Sequence, residues 1–142
     1  MLYGIGCDLC EVARMEKSLS GPHSPAFVRR VFGPEEQAAL GLGREETALP
    51  ARRAAAHRAA SAAADFAAKE AFLKAAGTGL TAPFSLCEIQ AVRLPSGAPE
   101  YRFSGQTAEW VAAHHLAAKL SLSHDGGMAL AFCTLEQCLP ET

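Results

Sequence analysis

No stretch of the 142-residue sequence approaches the roughly 20 consecutive apolar residues that a membrane-spanning helix needs. Charge of one sign is not in excess either: 13 Lys and Arg stand against 15 Asp and Glu, a formal net charge of −2. Such a balance gives no general affinity for nucleic acid, so a basic partner surface has to be a local patch. A basic leader is missing too. MLYGIGCDLCEV carries Asp8 and Glu11 almost at once, which argues against a secretory signal and makes the cytoplasm the expected compartment. Repeats and linkers are absent. With 49% hydrophobic residues, the sequence is predicted to form one domain over 1–142 around a single core.

Also absent is a second C-x-x-C to match Cys7 and Cys10, so half of a zinc site is missing. Residues three apart in a strand point to opposite faces, which argues against Cys7 and Cys10 acting together. Five cysteines without a leader read as free, mostly buried thiols.

What is present is a mixed pattern of helices and strands. Residues 2–10 read as a strand, with Gly4 and Gly6 marking close approach of another backbone or a ligand. Helices are predicted over 11–19, 26–32 and from Pro34, where Glu35 and Glu36 favour the helix N-terminus. The longest helix is predicted over 51–76, dense in alanine and closed by Gly77, its small side chains letting neighbours pack closely. Strands follow at 85–94 and 100–104, then a helix at 105–115 with Trp110 in the core. Two more strands, 119–124 and 128–136, are joined by Asp125-Gly126-Gly127, a hairpin signal. The fold class is therefore α+β, an antiparallel sheet packed on a long helix.

Three constellations carry chemistry. In Gly4-Ile5-Gly6-Cys7-Asp8, the carboxylate of Asp8 is either a ligand group at a strand end or a cap for the next helix. In FAAKEAFLKAAGTGL (66–80), helical periodicity puts Phe66, Glu70, Lys74 and Gly77 on one face. A carboxylate suits Mg²⁺, and a lysine with a glycine-lined loop suits phosphates; the alternative is a surface Glu70–Lys74 pair. In SLSHDGG (121–127), His124 is either a phosphate or acid–base contact or an ordinary turn histidine.

Taken together and in order, YGIGCDLCEVARM, FVRRVFGPEE, FAAKEAFLKAAGTGL and LSLSHDGGMALAF resemble the holo-acyl-carrier-protein synthase family of 4'-phosphopantetheinyl transferases along nearly the whole chain. The resemblance implies transfer of 4'-phosphopantetheine from coenzyme A to a serine of apo-acyl carrier protein, leaving adenosine 3',5'-bisphosphate. It implies Mg²⁺ on Asp8 and Glu70. It places Lys74, Gly77, Thr78 and Gly79 along the phosphate region, and His124 near the nucleotide phosphates. Among these, Asp8, Glu70 and Lys74 are the expected catalytic groups. One departure stands out. Many members carry a basic residue before FAAKEA, where this sequence has Asp65. Asp65 is expected to pair with Lys69, one turn on, and Arg52, Arg53 or Arg58 would have to supply the nucleotide contact.

Acyl carrier proteins are acidic, so the docking patch is expected to be basic. The resemblance puts it on the second and third predicted elements, with Arg14, Arg29 and Arg30 as charges and Met15 and Phe27 as apolar anchors. It also implies a homotrimer with active sites at subunit boundaries. Two readings compete: a non-catalytic coenzyme A or nucleotide-binding module of the same fold, and a thiol or zinc protein built on Cys7 and Cys10.

Overall fold

A 25-residue helix that is buried on nearly every side organises the molecule. The computed structural model describes residues 1–42 and 52–139. Within it, strand β1 (Leu2–Glu11) leads into helices α1 (Val12–Ser20), α2 (Ser24–Val31) and α3 (Pro34–Leu40). The long helix α4 (Arg52–Ala76) follows, and then the hairpin β2 (Ile89–Arg93) and β3 (Pro99–Phe103). Helix α5 (Gly105–Ala113) and the hairpin β4 (Leu116–Asp125) and β5 (Met128–Gln137) close the chain. Two antiparallel sheets result, one in the order β1-β5-β4 and one of β2 and β3. This is the expected α+β arrangement.

Alanine explains how α4 can sit in the middle. Ala62, Ala63, Ala64, Ala67, Ala68 and Ala71 have no exposed surface, and their small side chains let neighbouring elements close around the helix. On the β1 side the packing is closer still. A Cβ on Gly6 would collide with the backbone of Ala71, and one on Gly4 with the carbonyl of Ala75. The two strand glycines therefore let a strand and a helix touch backbone to backbone, as the sequence indicated. Phe72 forms the other pole of the core, edge-on to Phe84 and 4.9 Å from the ring of Phe103. Trp110 is half-buried, stacked on His114 at 4.2 Å and edge-on to Phe84 at 4.9 Å.

Two elements differ from expectation. The strand predicted from 85 begins only at Ile89, because Leu86–Glu88 form a single 3-10 turn. That turn aims the Glu88 carboxylate at the start of α5, where it accepts from the Thr107 amide at 3.3 Å and hydroxyl at 3.0 Å. Asp8 is not a helix cap. Helix α1 starts four residues later, at Val12, with Glu11 at its N-cap position.

The hairpin of β4 and β5 turns through Gly126 and Gly127, at φ of 55° and 76°. Left-handed backbone at both central positions is what a tight hairpin of this kind requires, and glycine supplies it. Gly77 ends α4 at φ 87°, its amide bonded to the carbonyls of Leu73 and Lys74. All five cysteines are free, but only Cys133 is buried, so the expectation of mostly buried thiols is corrected.

Candidate active site

Asp8 lies on the face of β1 that packs against α4, in register with Ala131 of β5. Glu70 and Lys74 lie one turn apart on α4. The ammonium of Lys74 donates to Asp8 Oδ1 at 3.1 Å and to the carbonyl of Cys7 at 2.9 Å. The partner of Lys74 is thus a residue of the opposing strand, not the Glu70 of the helix-surface alternative. Glu70 is half-buried, and its carboxyl is held above the ordinary range by burial first, then by the charge of Asp8, with Lys74 opposing both. Two carboxylates that feel one another, one ammonium and a half-open setting are therefore gathered at one place.

The loop after α4 continues the site. Gly77, Thr78 and Gly79 are all exposed. Gly77 and Gly79 have left-handed φ, and added methyl groups there would meet nothing within 4 Å. The constraint is backbone conformation rather than space, and it leaves an open, side-chain-poor ledge beside Lys74.

His124 is elsewhere in the chain. It sits at the tip of β4, two strands away from β1 in the sheet, which is about 10 Å at ordinary strand spacing. There it lines a cavity of about 460 Å³ with His57 and Ser61 of α4. Ser61 precedes Glu70 by nine residues, roughly 14 Å along the helix axis. One chain therefore brings Asp8, Glu70 and Lys74 together, with the G-T-G loop following Lys74 at the end of α4, and leaves His124 apart.

The polar residues behind Glu70 pair otherwise than helical spacing predicts. Asp65 does not pair with Lys69. It is 2% exposed and binds Arg93 of β2 at 2.6 Å. Lys69, with no exposed surface, binds Glu36 of α3 at 2.5 Å. Pairing four residues along a helix is the rule on a solvated surface, but this side of α4 is covered by α3 and the β2–β3 hairpin. Groups on those elements reach both side chains first. Of the arginines considered for the nucleotide, Arg58 approaches Gly41, and the side chains of Arg52 and Arg53 lie outside the described residues.

On α1 and α2, Arg14, Arg29 and Arg30 are exposed. Arg14 and Phe27 border a notch of about 180 Å³, and Arg30, Phe27, Lys17 and His23 border a cleft of about 520 Å³. Met15, expected as an apolar anchor, is 3% exposed and forms part of the notch floor. Cys7 and Cys10 point to opposite faces, Cys7 outward and Cys10 toward the notch by Phe66.

With this geometry in view, relatives are informative. Residues 4–133 match the 4'-phosphopantetheinyl transferase superfamily. The chain belongs to that superfamily. A holo-[acyl-carrier-protein] synthase from Methylobacterium sp. (strain 4-46) is 41% identical over 147 residues, covering 100% of this chain and 99% of the relative. Among solved structures, a holo-(acyl-carrier-protein) synthase from Bacillus anthracis in complex with CoA (3',5'-ADP) superimposes with a TM-score of 0.71 at 29% identity, covering 97% of this chain and 99% of that one. An acyl carrier protein synthase from Plasmodium yoelii with ADP bound gives 0.79 at 25% identity, covering 98% of each chain. The similarity to these structures covers 97–98% of this chain.

Proposed function

We propose that this transferase moves 4'-phosphopantetheine from coenzyme A to a serine hydroxyl of apo-acyl carrier protein, with Mg²⁺ held by Asp8 and Glu70. The observation that carries the reading is the approach of those two carboxylates across the Gly6–Ala71 contact, with Lys74 bonded to Asp8 beside an open glycine loop. The donor set fits the ion. Mg²⁺ is ordinarily held by one or two carboxylates and completes its shell with water and substrate phosphates, rather than by an all-protein cage. When bound, the ion offsets charge on the pyrophosphate.

The chain's own groups do the rest. Lys74, whose side chain is 55% exposed, is able to turn from Asp8 to a phosphate oxygen. The Gly77 amide is bonded within α4, so the loop's contribution falls to Thr78 and Gly79, which are exposed. The serine oxygen attacks the β-phosphorus, the bond to the bridging oxygen breaks, and adenosine 3',5'-bisphosphate leaves. The serine proton goes to a base, either Glu70 or a water beside the carboxylate pair. Positioning and charge neutralisation, not covalent help, dominate such a transfer.

The carrier protein docks on α1 and α2, its acidic helix facing Arg14, Arg29 and Arg30, with Phe27 as the apolar contact. The site is completed by a second copy in a homotrimer. Two features favour this: His124 stands apart from the carboxylate pair of its own chain, and one face of the three-stranded sheet is bare. Ile5 and Leu9 are 56% and 60% exposed there, and Phe132 is 43% exposed. Closed symmetric assembly brings such a face against its own copies. A neighbour can then offer His124 to the nucleotide phosphates.

Asp8→Ala and Glu70→Ala are each expected to abolish transfer while leaving far-ultraviolet circular dichroism and melting temperature close to wild type. Full activity in either folded variant would remove the metal pair.

A further inference from the structure

The packing of α4 on β1 raises a question that alanine does not answer. Apolar contact is non-directional, and a face of Ala71 and Ala75 against Gly6 and Gly4 offers no knob to stop the helix from sliding or turning. Yet the reach of Glu70 to Asp8 depends on both movements. Lys74 does bond to Asp8 and to the Cys7 carbonyl across this contact, but its side chain is 55% exposed. The buried directional contacts lie elsewhere on the helix, within little more than one turn beneath Glu70. Asp65 binds Arg93 at 2.6 Å. The hydroxyl of Tyr101 on β3 donates to the carbonyl of Ala68 at 2.5 Å. The ammonium of Lys69 donates to three acceptors: Glu36, the carbonyl of Leu86 at 3.0 Å and that of Ile89 at 2.6 Å.

Glu36 is itself fixed. Its two carboxylate oxygens accept from the amides of Gly33 at 3.0 Å and Ala91 at 3.1 Å. The amides of Glu35 and Glu36 in turn donate to the side chain of Gln90, at 2.9 and 3.3 Å. Lys69 is thereby tied to α3, to the 86–88 turn and to β2 at once. Glu70 is the next residue, about 100° around the helix.

We propose that Lys69, with Glu36 and Tyr101, is a positioning device for the metal pair: it sets the axial and rotational position of α4, and so the distance from Glu70 to Asp8. The inference rests on the reading of Asp8 and Glu70 as the Mg²⁺ pair. Lys69 touches no reacting group; it acts through Glu70. A buried ion pair adds little net stability compared with apolar groups of similar size, but bonds to four separate backbone segments fix geometry in a way apolar contact does not. Displacements near 1 Å at a reacting centre are enough to slow an enzyme a hundredfold.

The test is the double variant K69M/E36Q, which removes both buried charges together and keeps an acceptor for the Gly33 amide. Its melting temperature identifies folded protein. The first readout is Mn²⁺ affinity in the presence of coenzyme A, by electron paramagnetic resonance. The second is kcat against the KM for carrier protein. The positioning role predicts at least threefold weaker Mn²⁺ binding and at least a tenfold lower kcat, with the carrier-protein KM within twofold of wild type. A merely structural role predicts a changed melting temperature with wild-type Mn²⁺ affinity and kcat in the folded protein, and that result overturns the proposal. If K69M/E36Q does not fold, Tyr101→Phe decides, since it removes one bond without stranding a charge. Weaker Mn²⁺ binding in that variant supports the device, and unchanged binding overturns it. Loss of activity in Asp8→Ala together with unchanged K69M/E36Q removes only Lys69. Full activity in Asp8→Ala removes the metal pair and the device with it.

Discussion

Asp65 shows how one residue's surroundings change its chemistry. Its carboxyl is pushed up to about 7, by burial first, with Arg93 opposing and the charge of Glu36 adding to the rise. In the unfolded chain the same group titrates near 3.9. The folded form therefore holds a proton that the unfolded form has lost between about pH 4 and pH 7. Asp65 accordingly contributes a loss of stability as pH rises through that window, fully developed above pH 7, and amounting to at most about 4 kcal/mol. Asp65→Asn carries no such titration, so its melting temperature is expected to fall less than that of the wild type between pH 5 and pH 8. Thermal melts of the two proteins across that range check this; parallel curves would contradict it. The sequence did not disclose this environment. Helical spacing identifies which residues share a face, but not that β2, 28 positions on, supplies Arg93 to that face. For the same reason Lys74 was placed on the face of Glu70 correctly, while its bond to Asp8 across 66 positions was not visible.

At the scale of elements, the contact between β1 and α4 was the most legible feature. Glycine at alternate strand positions and a helix built of alanine both signal close approach, and they meet each other. Gly6→Ala is expected to force the two apart, because the new methyl would overlap the backbone of Ala71. Overpacking of this kind destabilises by about 1–3 kcal/mol. Since Asp8 follows on the same face of the strand, activity is expected to drop further than stability alone explains. Gly21→Ala is the control: its methyl would meet the Lys17 carbonyl at an ordinary 3.6 Å. Denaturant unfolding and specific activity of both variants provide the comparison, and equal behaviour would contradict the argument. The hairpins were legible from their turn residues. The short 86–88 turn was not, since its alternating sequence continues straight into β2. What bends it is the demand of Glu88 for the start of α5 and of Lys69 for the carbonyls of Leu86 and Ile89.

At the scale of the whole molecule, the proposed neighbouring copy rests on the separation of His124 from Asp8 and on the bare sheet face. A site that takes Asp8 and Glu70 from one subunit and His124 from the next can be rebuilt from two damaged chains. Co-expressed Asp8→Ala and His124→Ala subunits, each inactive alone, are expected to regain about a quarter of wild-type activity when randomly mixed in closed trimers. Mixing with no recovery would place the whole site in one chain. Substituting Phe132 by Asp in the bare face is expected to yield monomers in sedimentation analysis and to abolish transfer with them.

The most direct measurement of the reaction is the mass of an apo-acyl carrier protein after incubation with this protein, coenzyme A and Mg²⁺. The expected result is a gain of one phosphopantetheine on the carrier protein, with equimolar adenosine 3',5'-bisphosphate released, and no gain when Mg²⁺ is chelated. Coenzyme A bound without any change in the carrier-protein mass would contradict it, and would leave a binding module of the same fold.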